Sequence, residues 1–260
     1  MFFVKNCEII EILRRWEFSD KIHKISREIL LLFLRRCGII GYYTMGEACR
    51  FRLIGYLWPR ERKTLLMNLI LASASPRRRE ILSTLGVDFS VRTADADETC
   101  ELTDPGARVE AISLQKCLAV EEALAAEGAL TADTLIVASD TLVTLDGRFL
   151  GKPRDEADAR AMLRALQGRT HTVASGLAVR AGGRTATAHE LTGVTFAPMS
   201  DAEIEDYLGT GESFGKAGAY AIQGHAARYI TGIEGDYFNV VGLPVRRLYE
   251  TLQAAFGITL

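Results

Sequence analysis

Leu69-Ile70-Leu71-Ala72-Ser73-Ala74-Ser75-Pro76-Arg77-Arg78-Arg79-Glu80 is the stretch on which the reading of this chain turns. Its apolar start predicts a short buried strand, followed by a tight turn of small hydroxyl residues and the first turn of a helix. Ser75 suits an N-cap, and Pro76 suits the first helical position, where its missing N–H costs nothing. Ile81, Leu82 and Leu85 continue the helix, and Gly86 stops it. A strand feeding a helix N-terminus gathers free backbone N–H groups and the positive end of a dipole at one point. Two serine hydroxyls and three arginines meet there too, so the junction suits an anion, phosphate above all. It is not a Walker A loop, because Gly-x-x-x-x-Gly-Lys-Ser/Thr is absent. Gly215-Lys216 comes nearest, but Thr210 replaces the first glycine and Ala217 the final Ser/Thr.

Downstream, Pro105 opens a helix to about Ala126, with Val109, Ile112, Cys117, Val120 and Leu124 at helical spacing and Lys116 beside that seam. Thr134-Leu135-Ile136-Val137-Ala138-Ser139 predicts a central strand buried on both faces. It ends at Asp140-Thr141, resumes through Leu145, and turns at Asp146-Gly147 toward Gly151-Lys152-Pro153. A helix is expected over residues 155–167, and a hairpin over Gly182-Gly183 joins residues 170–180 and 184–196. Ser200-Asp201-Ala202-Glu203 reads as a capping box. Strands are expected near residues 226–230 and 237–241, and Pro244 begins a closing helix. Helices that alternate with both crossover strands and hairpins predict an α/β fold on a mixed sheet.

The chain has 260 residues, 48% of them hydrophobic and 25% charged, with a net charge of −2 that argues against a general nucleic-acid binder. The charge is unevenly spread: residues 1–66 carry +6 and the remainder −8. The early apolar run Ile29–Leu34 is too short to span a membrane, and Glu8, Glu11, Glu17 and Asp20 spoil a signal or transit peptide. Residues 8–36 have the spacing of an amphipathic helix. The expectation is that Met67 is the natural start and residues 1–66 an over-extended reading frame, the alternative being a basic helix that docks on a membrane or partner. Five cysteines without a Cys-x-x-Cys pair suggest neither a disulfide framework nor zinc, and point to a reducing, cytoplasmic setting.

Asp140 is the sharpest single residue. A carboxylate at the end of an apolar strand is costly to desolvate without a partner or cation, which points to a base or a metal ligand, the alternative being an Asp that satisfies nearby backbone at a strand bend. Asp97 and Glu98 form an acidic pair of the kind that Mg²⁺ takes. Lys116, Lys152 and Lys216, taken singly, read as surface lysines; with the arginines and the carboxylates they suit phosphoanhydride chemistry. Serine-hydrolase chemistry fits less well, since Ala174-Ser175-Gly176 is not Gly-x-Ser-x-Gly. His171, read as the only histidine in a well-formed strand, is expected to take a core or loop role.

Ser73-Ala74-Ser75-Pro76-Arg77-Arg78, Ser139-Asp140-Thr141, Gly151-Lys152-Pro153, Gly168-Arg169-Thr170-His171, Lys216 to Gly224 and Val241-Gly242-Leu243-Pro244 together resemble the signature blocks of the Maf family, in family order over residues 67–260. These are nucleoside triphosphate pyrophosphatases, also known as septum-formation inhibitors. The resemblance implies an elongated mixed sheet with flanking helices and two lobes around a central cleft, similar to inosine-triphosphate pyrophosphatases. It implies cleavage between the α and β phosphates with a divalent metal (Mg²⁺ or Mn²⁺), a nucleoside triphosphate as partner rather than nucleic acid or membrane, and a homodimer. By the same resemblance Asp140 is the proton acceptor. Arg77, Thr141 and Gln223 match the positions of substrate choice in the branch that prefers dTTP and UTP. Ser73, Arg78, Lys116, Lys152 and Lys216 line the phosphate site, and Glu98 the metal. Ser139 stands where this branch often has Gly, and Gly215 where many members have Asp. Two alternatives stay open: the sister branch acting on 7-methyl-GTP, and a non-catalytic nucleotide-binding regulator of cell division.

Overall fold

The computed structural model describes residues 67–260. The expectations for residues 1–66 fall outside the described residues. The elements run β1 (Asn68–Leu71), α1 (Pro76–Thr84), β2 (Ser90–Val91), α2 (Pro105–Ala126), β3 (Thr134–Leu145), β4 (Arg148–Leu150), α3 (Glu156–Leu166), β5 (Thr170–Ala181), β6 (Arg184–Phe196), α4 (Asp201–Leu208), β7 (Ile230–Glu234), α5 (Tyr237–Val241) and α6 (Val245–Phe256). Two short 3₁₀ turns, Ala217–Ala219 and His225–Tyr229, lie between α4 and β7.

The seven strands form one mixed sheet in the order β2-β1-β3-β5-β6-β7, with β4 also on β3. Here β1 is parallel to β2 and β3, whereas β3 is antiparallel to β4 and β5. The expected α/β fold on a mixed sheet, flanked by helices, is what the chain adopts. Among the described residues no helix is long and apolar enough to cross a membrane.

Strand alternation explains the layering. Successive side chains of β3 point to opposite faces. Ile136 and Ala138 pack with Ile70, Cys117, Val120 and Leu124 under α2. Leu135 and Val137 join the larger core with Leu71, Leu82, Leu163, Leu248 and Leu252 on the other face. A strand covered on both sides needs the near-continuous apolar run that its sequence carries.

Two glycines let α2 settle onto the sheet. A β-carbon at Gly176 on β5 would overlap the backbone of Val109, and one at Gly106 on α2 would meet the His189 ring at 2.5 Å. His189, on β6, donates through Nδ1 to the Glu110 carboxylate at 2.5 Å, which ties the helix to the sheet from the same side. His171 is therefore not the only histidine within a strand.

Two strand expectations are corrected. Residues 225–229 form a 3₁₀ turn, with the strand beginning at Ile230, and residues 237–241 form a short helix. The composition Tyr-Phe-Asn-Val-Val favours a strand, but tertiary bonds override it. The Asp236 side chain accepts from the Phe238 N–H at 2.8 Å, and the buried Asn239 amide donates to the Val173 carbonyl and the Thr192 hydroxyl.

His171 serves the core as expected. It is 3% exposed, with Nε2 2.7 Å from the Tyr220 hydroxyl and the ring packed on Phe196. Burial pushes its pKa down to about 4 from 6.5. The unfolded chain thus takes up a proton that the folded one refuses between these values. The stability contributed is fully present above pH 6.5 and lost as pH falls toward 4. Urea unfolding of wild type and His171→Gln should differ by about 2 kcal/mol less at pH 4.5 than at pH 7. Parallel loss of stability in both proteins would contradict this assignment.

Candidate active site

The site forms where one edge of β3 changes partner. Parallel pairing with β1 ends at Leu71 opposite Val137, and antiparallel pairing with β4 begins at Leu150 opposite Val143. Between them, residues 138–142 have no strand on that edge, and the chain leaving β1 turns away into α1. This is a crevice beyond the carboxyl end of a parallel strand, the usual place for a ligand in an open α/β sheet. A cavity of about 790 Å³ occupies it.

Alternation then sorts the side chains. Asp140 has the parity of Ile136 and Ala138 and so faces α2, where Lys116 Nζ donates to its Oδ1 at 2.6 Å. Opposite Asp140 on β5 stands Gly176, the residue over which α2 comes close. Lys116 also pairs with Glu98 Oε1 at 3.2 Å, from the loop ahead of α2. Asp140 and Lys116 side chains are only 16% and 18% exposed, and Glu98 is 58% exposed, so a half-buried ion pair opens toward solvent through Glu98. Asp97, expected beside Glu98, turns instead to cap the Thr99 N–H at 2.9 Å.

Ser139 and Thr141, of the other parity, face the turn between α5 and α6. The Ser139 hydroxyl donates to the Gly242 carbonyl at 3.0 Å. Arg78 reaches the same carbonyl through Nε at 2.8 Å, the Ser73 hydroxyl through Nη1 at 3.2 Å and the Thr141 hydroxyl through Nη2 at 3.0 Å. Thr141 is linked in turn to Ser175 at 2.8 Å, whose hydroxyl donates to the Asn239 carbonyl. One guanidinium thus joins the first turn, the central strand and the closing helix pair. Burial holds its pKa below the ordinary arginine value, partly offset by the charge of Asp140. Ser75 caps α1 as its sequence predicted, accepting from the Arg78 N–H.

Arg77, Lys152 and Lys216 line the same cavity. Lys216 Nζ donates to the Glu212 carbonyl at 2.6 Å. Burial first and Arg77's charge second lower its pKa. Of the ten expected site residues, nine line the cavity: Ser73, Arg77, Arg78, Glu98, Lys116, Asp140, Thr141, Lys152 and Lys216. Gln223 does not; it is exposed, although its neighbour Ile222 lines the wall.

Sequence reasoning missed Arg108, a further cation of the lining, whose guanidinium lies 4.7 Å over the Phe149 ring and donates to the Leu102 carbonyl at 3.1 Å. Its position two turns before Lys116 on α2 was the available signal. The cavity is lined by six basic side chains and two acidic ones, in a chain whose net charge is −2. Such a concentration of positive charge in a cleft draws anions.

Residues 68–255 match the family model described as Maf-like protein. The chain is 47% identical over 196 residues to the dTTP/UTP pyrophosphatase of Moorella thermoacetica, covering 74% of this chain and 97% of that protein. It is 49% identical over 193 residues to the dTTP/UTP pyrophosphatase of Salinibacter ruber, covering 73% and 91%. The solved structure of the Staphylococcus aureus Ham1 protein aligns with 50% of this chain and 72% of its own at 16% identity, with a TM-score of 0.36, a likeness too slight to carry an argument.

Proposed function

The chain belongs to the Maf-like protein family, and from that premise we propose that it is a nucleoside triphosphate pyrophosphatase that hydrolyses dTTP and UTP to the monophosphate and pyrophosphate. The observation that carries the reading is Asp140, held by Lys116 at 2.6 Å inside a cavity rich in cations. A triphosphate is a polyanion, and arginines, lysines and a helix N-terminus are the groups that offset its charge.

Hydrolysis adds a water oxygen to one phosphorus and breaks the P–O bond of the α–β bridge. Pyrophosphate leaves with the charge that develops, and the water's proton passes to Asp140. Among the described residues no hydrogen bond reaches Asp140 Oδ2, so that oxygen is available to the water while Lys116 holds Oδ1. Lys116, Lys152 and Arg78 stabilise the leaving phosphates, which is worth most in a cleft that excludes water, and Lys216 binds the triphosphate. Arg77 and Thr141, on the lining, and Gln223, beside it, choose the base.

A divalent metal fits the donor set in one way. Glu98 and Asp140 converge on Lys116, and among the described residues no group of three or more His, Cys, Asp or Glu side chains is arranged to hold an ion. Mg²⁺ is commonly held by one or two carboxylates plus substrate phosphates rather than by an all-protein cage. Glu98 would hold it together with the triphosphate. When bound, the ion neutralises phosphate charge and polarises a phosphoryl oxygen.

A substrate panel tests the specificity. With Mg²⁺, pyrophosphate release should be faster from dTTP and UTP than from CTP, GTP and 7-methyl-GTP by about tenfold or more, the scale of a few polar contacts to a base. Preference for 7-methyl-GTP would keep the reaction and overturn the roles of Arg77, Thr141 and Gln223. Nucleotide binding without turnover would favour a regulator.

A further inference from the structure

Glu212 lies outside the cavity lining. It sits in the loop after α4, and its side chain reaches across to the far arm of the same loop. Its carboxylate accepts from the His225 N–H at 2.8 Å, the Ala226 N–H at 3.4 Å and the Tyr207 hydroxyl at 2.9 Å. Its own carbonyl accepts from Lys216 Nζ at 2.6 Å. Between the two attachments run Gly215 to Ile222, which include five residues of the cavity wall: Gly215, Lys216, Ala217, Tyr220 and Ile222.

Gly224 makes the arrangement specific. Its φ of −137° lies outside the left-handed region that favours glycine. A β-carbon there would instead overlap the Glu212 carboxyl group. The carboxylate occupies the space a side chain at this position would take. Burial raises the Glu212 pKa, but the two backbone N–H groups and the Tyr207 hydroxyl more than offset this and hold it below the ordinary value. Charge-assisted bonds from backbone N–H groups are among the stronger ones a loop can make.

We propose that Glu212, seated over Gly224, is a positioning residue that clamps both arms of the 209–226 loop and so fixes Lys216 and the adjoining wall against the bound nucleotide. The inference rests on the cavity's being the nucleotide site. Lys216 contacts phosphate in the ground state and the transition state alike, so loss of its placement raises KM more than it lowers kcat.

The test compares wild type with Glu212→Ala, Glu212→Gln, Gly224→Ala and the Glu212→Ala/Gly224→Ala double variant, with dTTP and Mg²⁺. Glu212→Ala and Gly224→Ala should each raise KM about tenfold, the worth of one charge-assisted hydrogen bond, with kcat within about threefold of wild type. Glu212→Gln, which keeps an acceptor oxygen, should recover part of the loss. In the Glu212→Ala background the β-carbon meets no carboxylate, so Gly224→Ala should add no more than about twofold. Amide exchange, read without nucleotide, should show His225 and Ala226 losing protection in Glu212→Ala. That arm separates the outcomes: a wild type that does not turn over dTTP removes the nucleotide reading while the clamp is still read. Unchanged protection, an unchanged KM, or effects that multiply in the double variant overturn the proposal. If Glu212→Ala does not fold, Glu212→Gln carries the same comparisons with a smaller rise in KM.

Discussion

Asp140→Asn should lower kcat for dTTP hydrolysis by about 10²–10⁴-fold, the usual worth of general-base assistance, while the protein still folds. The substitution keeps the shape of the side chain and leaves an oxygen for Lys116, whose Nζ lies 2.6 Å from Oδ1. What it removes is the ability to take the water's proton. The neighbouring Glu98 is no substitute, because it reaches the site from a loop and is 58% exposed. KM should change much less than kcat, since the cations that bind the triphosphate remain. Far-ultraviolet circular dichroism and a melting curve would verify folding alongside the kinetics. Turnover within tenfold of wild type would remove Asp140 from the mechanism.

Gly176→Ala should be the most damaging single methyl group that can be added to the described residues near the site. Gly176 is paired with Asp140 on one side and His189 on the other, so all three lie in a row under α2. The new β-carbon would overlap the Val109 carbonyl group and come within 2.7 Å of the Glu110 nitrogen. Those atoms are helix backbone and cannot rotate away as a side chain does. Overpacking a core costs roughly 1–3 kcal/mol where side chains can adjust, and a backbone clash belongs at or above the top of that range. A loss of about 3 kcal/mol corresponds to a fall in Tm of roughly 6–12 °C for a domain of this size. Relief requires α2 to lift, and α2 carries both Lys116 and Arg108. A displacement of about 1 Å at Lys116 is enough to cost on the order of 10²-fold in turnover. A variant with wild-type Tm and turnover would show that the close approach of helix to sheet does not position the site.

These two residues also mark how far sequence can carry such a reading. Asp140 was legible because a carboxylate at the end of Leu135-Ile136-Val137-Ala138 breaks a pattern that is otherwise apolar. Gly176 was not, since its importance lies in the Val109 backbone, 67 residues away in sequence. The Ser75-Pro76 start of α1 and the Ser200–Glu203 capping box are local chemistry, and both appear as read. Residues 237–241 are the opposite case. Their β-rich composition was outweighed by the Asn239 amide, which finds partners on β5 and β6 that no local pattern announces. Gln223 came from a resemblance between motifs, and its side chain is exposed rather than on the cavity wall. Arg108 and Glu212 escaped notice because an arginine on a helix and a glutamate in a loop are ordinary until their partners are known.

The most direct measurement is the ³¹P NMR spectrum of the protein incubated with dTTP and Mg²⁺. The account predicts that the triphosphate resonances give way to those of dTMP and pyrophosphate in equal amounts. Orthophosphate with dTDP would place the cleavage between the β and γ phosphates and contradict it, as would a spectrum that does not change.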